Sequence, residues 1–135
     1  MTNVVVGLEL PAKRFEITRE TLIRYAGASG DFNVIHWNER VATSVGLPNV
    51  IAHGMLTMGL AVQVVTDWLD DPSRLIDYGC RFTRPIAVPD DGVGAVLDVT
   101  GKVTAMDGDL ATITLAAVSN EVTVLGKATA TVRVQ

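Results

Sequence analysis

From Ile51 to Leu69 the chain reads IAHGMLTMGLAVQVVTDWL, apolar on nearly every side of a helix, and no other segment restricts the possible folds as much. A helix without a polar face cannot lie on a surface and has to be wrapped by other elements. Its longest apolar stretch, Ile51 to Val65, is interrupted by His53, Thr57 and Gln63 and falls short of the roughly 18 or more residues that span a bilayer. The segment therefore predicts a buried helix from His53 to about Leu69, stopped soon after by Pro72.

What wraps it follows in the sequence. Val93, Ala95, Leu97, Val99 and Val103 alternate with polar residues, Asp107-Gly108 is a hairpin-turn signal, and Ile113, Leu115 and Ala117 continue the period of two. After a turn at Asn120 and Glu121, Val122, Val124, Gly126, Ala128, Ala130, Val132 and Val134 form the cleanest stripe in the chain. Tyr78–Arg84 reads as a further strand and Arg14–Ile17 as a short edge. Thr18 caps a short helix to about Ser29, with Leu22, Tyr25, Ala26 and Ser29 on one face and Gly30 at its end. The stretch from Asp31 to Ala52 has no sustained period and predicts a loop, with a short helix over Asn38–Val45. One apolar helix followed by antiparallel strands is α+β, a curved sheet packed around a central helix, and 135 residues suffice for one domain, 1–135.

The 48% hydrophobic content is more than a chain this short readily hides, which predicts an oligomer. A net charge of -4 and eleven scattered Lys and Arg residues argue against nucleic acid as a partner. Cys80 is the only cysteine, which excludes an internal disulfide and a cysteine-rich metal site and suits a reducing compartment. The N-terminal valines are broken by Gly7, Glu9 and Pro11, so no export signal or membrane segment is expected and the cytoplasm is the expected location.

Two motifs carry chemistry. In YAGASGDFNVIH, Asp31 and His36 lie five residues apart. Five steps turn an ideal helix by about 140°, and an odd offset points to opposite faces of a strand, so they meet only on irregular backbone, which Gly30 and the loop supply. A carboxylate beside an imidazole suits the holding of a water and the exchange of its proton near neutral pH. Asn33 is placed to brace the loop. In IAHGM, Gly54 opens the buried helix, whose free amides are a site for developing negative charge on an oxygen. His53 and Met55, which flank that glycine, are the candidates for substrate contact. Taken singly, each motif has an ordinary explanation: Asp31 stiffening a turn, His36 as a polar loop residue, Gly54 as a packing glycine, His53 as a satisfied buried histidine. Together they supply what is needed to add water one carbon beyond a thioester α-carbon. A metal held by Asp31, His36 and His53 is the competing reading, but the spacing matches no common zinc pattern, and no metal or other cofactor is expected.

YAGASGDFNVIHWNERVA and IAHGMLTMG, with VGLELPAKRFEITRETLIRYA and RFTRPIAVPDDG, resemble the MaoC-like (R)-specific enoyl hydratases over nearly the whole chain, and most of all the catalytic B subunits of (3R)-hydroxyacyl-acyl carrier protein dehydratases. The resemblance implies a hotdog fold and reversible hydration between a trans-2-enoyl thioester and its (R)-3-hydroxyacyl partner. It also implies that Asp31 and His36 activate the water, Asn33 supports the loop and the Gly54 amide binds the thioester carbonyl. The implied partners are an acyl thioester of coenzyme A or acyl carrier protein and a second hotdog subunit, identical or different. Two positions depart from the family pattern: Val34 stands where many members have proline, and Val62 where related short-chain hydratases carry a serine. A non-catalytic acyl-thioester-binding subunit and a hotdog thioesterase remain the alternatives. Arg74, Arg81 and Arg84 suit a phosphate-bearing carrier arm but equally a solvated strand edge, and are left unassigned.

Overall fold

A computed structural model describes residues 3–135 of the chain. Six strands, β1 (Glu9–Ile17), β2 (Leu75–Phe82), β3 (Ala95–Asp107), β4 (Leu110–Ser119), β5 (Val122–Thr123) and β6 (Leu125–Arg133), form one sheet. The order is β1-β3-β4-β6-β2, with the short β5 pairing to β4. Every pairing is antiparallel. Three α-helices accompany it, α1 (Arg19–Ser29), α2 (Glu39–Ser44) and α3 (Gly54–Trp68). Helix α3 lies against all five long strands, the hotdog arrangement expected of the chain.

The alternation seen in the sequence sets the inner face. Leu97, Val99 and Val103 of β3, Ala111, Ile113, Leu115 and Ala117 of β4, and Ala128, Ala130 and Val132 of β6 are buried. They pack on Leu56, Ala61, Val64 and Val65 of α3 in one core. Each large aliphatic side chain in it contributes roughly 1.5–3 kcal/mol by leaving water. Val93 is an exception: it is 67% exposed in the loop before β3 rather than part of the strand. Gly101 faces the same core, and a Cβ there would come within 3.1 Å of Leu115 and 3.3 Å of Val64.

Several boundaries differ from expectation. β1 is nine residues long rather than a short edge over Arg14–Ile17, because a register shift between Leu10 and Lys13 accommodates Pro11 and hides the alternation. β2 begins and ends earlier than Tyr78–Arg84. The β3–β4 hairpin turns on Gly108 and Asp109, with Asp107 still paired to Leu110 and Gly108 at φ 57°. Asn120 and Glu121 form the next turn, at φ 50° and 62°.

Helix α3 is not wrapped on every side. Met55, Gly59, Gln63 and Asp67, one turn apart, form an exposed stripe, with Lys13 of β1 paired to Asp67. Tyr78 of β2 donates its hydroxyl to the Met58 carbonyl at 2.9 Å, fastening that edge strand to the helix. Cys80 is partly buried against the core, and burial raises its thiol pKa. Among the described residues no helix is long and apolar enough to cross a membrane.

Candidate active site

The site is assembled between the end of α1 and the start of α3. Thr18 and Thr21 cap α1 reciprocally, each hydroxyl accepting from the other's backbone N–H at 3.0 and 3.2 Å. Gly30, in the left-handed region at φ 76°, ends it. The chain then leaves the helix as a series of side-chain-stabilised turns. Ser29 Oγ accepts from the Asp31 N–H at 3.1 Å, Asp31 Oδ1 from the Asn33 N–H at 3.1 Å, and Asn33 Oδ1 from the Ile35 N–H at 3.4 Å. Asn33 thereby caps a single 3-10 turn, Val34–His36, that carries His36 inward. With Oδ1 of Asp31 committed to the turn, Oδ2 faces Nε2 of His36 at 4.0 Å.

A second segment fixes the imidazole from behind. The Ile51 N–H donates to the Ile35 carbonyl at 3.2 Å, while Nδ1 of His36 lies 2.7 Å from the Ile51 carbonyl. A carbonyl only accepts, so Nδ1 carries the proton and the lone pair sits on Nε2, the atom facing Asp31. Ile51 is held in turn by its neighbours: Ala52 N–H to Ile86 O and Val88 N–H to Val50 O, both 2.9 Å. Arg19 clamps the same region, donating to Val88 O and to Asn49 Oδ1, each at 2.6 Å.

His36 is 7% exposed, whereas the Asp31 side chain is half exposed. A pocket of about 310 Å³ opens beside His36 and is lined by Gly54, Thr57, Phe82, Arg84 and Ile86 among others. His53 precedes α3 without capping it by a side chain, so first-turn amides of a 15-residue helix, including that of Gly54, lack an intrahelical partner beside the pocket. The α-carbon of Gly54 is covered by the Phe82 ring: a Cβ there would lie 3.2 Å from it. The glycine thus admits an aromatic wall.

His36 and Gly54 thus meet at one pocket, with Asp31 beside His36 and Asn33 in the turn that joins them. His53 and Met55, the expected substrate contacts, do not line it. Each helical residue rotates by about 100°, which sends Met55 to the open stripe of α3, 59% exposed. His53 is 1% exposed and lies behind His36, the two rings stacked with centroids 3.8 Å apart and planes at 23°. Its Nε2 lies 3.1 Å from the Asp31 carbonyl, and Tyr25 of α1 meets it edge-on at 4.7 Å. Burial lowers the His53 pKa; the hydrogen bond to the Asp31 carbonyl works against this, and nearby His36 adds to it. Donor atoms of Asp31, His36 and His53 fall within 4.8 Å of one another. Near-parallel stacked rings nevertheless keep their in-plane lone pairs in separate, nearly parallel layers, a poor fit to a shared metal ion. The Ile51 carbonyl, Tyr25 and Phe82 had no signal in the sequence: their roles come from contacts between distant segments.

Residues 5–124 match the MaoC like domain. The chain is 38% identical over 79 residues to 3-hydroxyacyl-thioester dehydratase X of Mycobacterium tuberculosis, covering 58% of this chain and 27% of that protein. It is 33% identical over 88 residues to the (R)-specific enoyl-CoA hydratase of Rhodospirillum rubrum, covering 64% of this chain and 60% of that one. A solved MaoC-like dehydratase superposes with a TM-score of 0.94 at 38% identity, over 98% of this chain and 41% of the other. The chain thus spans less than two thirds of each of these relatives. With the family pattern matched across most of its length, the chain belongs to the MaoC-like domain family.

Proposed function

We propose that the chain, acting as one domain, catalyses reversible hydration of a trans-2-enoyl thioester to the (R)-3-hydroxyacyl thioester. The observation that carries this reading is the tautomer imposed on His36. With Nδ1–H donating to the Ile51 carbonyl, Nε2 is an acceptor opposite Asp31 Oδ2 across 4.0 Å, a gap that suits one water hydrogen-bonded to both. His36 takes a proton from that water as its oxygen bonds to C3 of the enoyl group. The electron pair of the C2–C3 double bond moves toward the thioester carbonyl, whose oxygen the Gly54 amide stabilises. The imidazolium, balanced by Asp31, returns the proton to C2, so the hydroxyl resides on C3 and the hydrogen on C2. Dehydration is the reverse.

The names of the two relatives, a 3-hydroxyacyl-thioester dehydratase and an (R)-specific enoyl-CoA hydratase, support the reaction class and its stereochemistry. Of Arg74, Arg81 and Arg84, only Arg84 borders the pocket; it also borders an adjoining open groove of about 1100 Å³, where a phosphate-bearing arm of coenzyme A or acyl carrier protein has room. The outer edge of β2 and the exposed stripe of α3 support pairing with a second hotdog subunit, identical or different. A lone, half-buried thiol supports a reducing, cytoplasmic setting. The test is to follow loss of the conjugated enoyl absorbance with crotonyl-CoA and a longer enoyl-CoA, and to resolve the product's configuration by chiral chromatography. An (R)-3-hydroxyacyl product is expected. A folded protein that hydrolyses the thioester, or turns over neither substrate alone or with a carrier protein and candidate partner subunits, overturns the proposal.

A further inference from the structure

We infer that His53 is a positioning residue that sets the geometry of both members of the Asp31–His36 pair, and that it does not contact substrate; this rests on the reading of that pair given above. One imidazole reaches both. Its edge holds the Asp31 main chain, through Nε2 at 3.1 Å from the Asp31 carbonyl, and its face backs the His36 ring at 3.8 Å. That carbonyl only accepts, so the proton of neutral His53 is on Nε2. Nδ1 is then a bare lone pair, and it is buried with no hydrogen-bond partner among the described residues. Leaving such an atom unsatisfied is costly, which argues that the position is occupied for what the other atoms of the ring do rather than for its own packing.

The remaining contacts keep the ring still. Tyr25 of α1 meets it edge-on at 4.7 Å, and the backbone of His53 leads directly into Gly54. The groups facing His53 are thus Asp31, His36 and Tyr25. Movement of the ring would change the 4.0 Å separation of Oδ2 and Nε2 from both ends, since it touches the main chain of one residue and the ring of the other. Displacements of this kind, about 1 Å, are sufficient to cost on the order of 100-fold in rate.

The chain has two histidines, so their ring nitrogens can be resolved by long-range nitrogen–proton NMR on the intact protein. The expected spectrum shows opposite neutral tautomers, Nδ1–H for His36 and Nε2–H for His53. Two variants divide the role. His53→Gln retains a donor but loses the aromatic plate, and His53→Phe retains the plate but loses the donor. Each is expected to lower kcat roughly 10- to 100-fold with KM changed less than about threefold, and to alter the pH profile of kcat. Nδ1–H on His53, or variants that raise KM while leaving kcat and its pH profile alone, overturns the inference. Should a variant not fold, the wild-type tautomers decide. If the tautomers are as expected but Asp31→Asn retains full activity, the reading of the catalytic pair has failed and not the geometry assigned to His53.

Discussion

His36 and Ile51 are joined by a 2.7 Å hydrogen bond from imidazole Nδ1 to a main-chain carbonyl, and this one contact decides which nitrogen can act as a base. In the proposed reaction His36→Ala removes the base and Asp31→Asn the charge that supports the imidazolium. Each is expected to lower kcat about 10²- to 10⁴-fold with little change in thermal midpoint, read from the enoyl absorbance and from circular dichroism. An active, folded His36→Ala protein contradicts the assignment.

The buried neutral state of His53 predicts how stability varies with pH. Burial holds its pKa below the ordinary value of 6.5, so near that pH the unfolded chain binds more protons than the folded one. The contribution is complete above about pH 6.5 and is eroded as the pH falls further. The midpoint of urea unfolding is therefore expected to drop between about pH 7.5 and 5.5, and to drop less in His53→Gln. Equal slopes in the two proteins would show that His53 titrates normally.

Val34 occupies the first position of a 3-10 turn, where the backbone N–H has no partner within the helix and where proline is well tolerated. Asn33 before it has φ −55° and ψ 126°, a polyproline-like conformation that a following proline accepts. Val34→Pro is therefore expected to leave kcat within about twofold and to stabilise the protein by about 0.4–1 kcal/mol, through loss of freedom in the unfolded chain. Differential scanning calorimetry and the hydration assay check the two halves. Destabilisation would mean that the turn does not hold the conformation described.

Gly54→Ala retains the amide but places a methyl group 3.2 Å from the Phe82 ring. The ring is 55% exposed and free to swing, so folding is expected to survive while the pocket wall moves. A loss of about tenfold in kcat/KM, ~1.4 kcal/mol, is expected, with partial recovery when Phe82→Leu is added. A single variant as active as wild type would show that the ring position is immaterial to substrate.

Much of this architecture was legible because it follows from periodicity. The apolar helix, the β3–β4–β6 stripes and the Thr18 cap were all apparent in the residues, and His36 and Gly54 do meet at one pocket with Asp31 beside His36. The failures have physical causes. Pro11 and its register shift broke the alternation that would have revealed the full β1. The open stripe of α3 was invisible because Met55 is apolar and Gly59 carries no side chain, so neither reads as solvent-facing. His53 looked like a substrate contact because of its proximity to Gly54, whereas its ring folds back on a loop 22 residues earlier.

In the proposed reaction the acting groups all come from one uninterrupted stretch, Asp31 to Gly54, while much of the pocket beside them comes from Phe82–Ile86, Val124 and Leu125. On that reading, reaction and much of recognition are written in separate parts of the gene. Drift in the later segments would then reshape which acyl chain is admitted while leaving the proposed proton-transfer groups in place, so that a fold built this way diversifies its diet and keeps its chemistry.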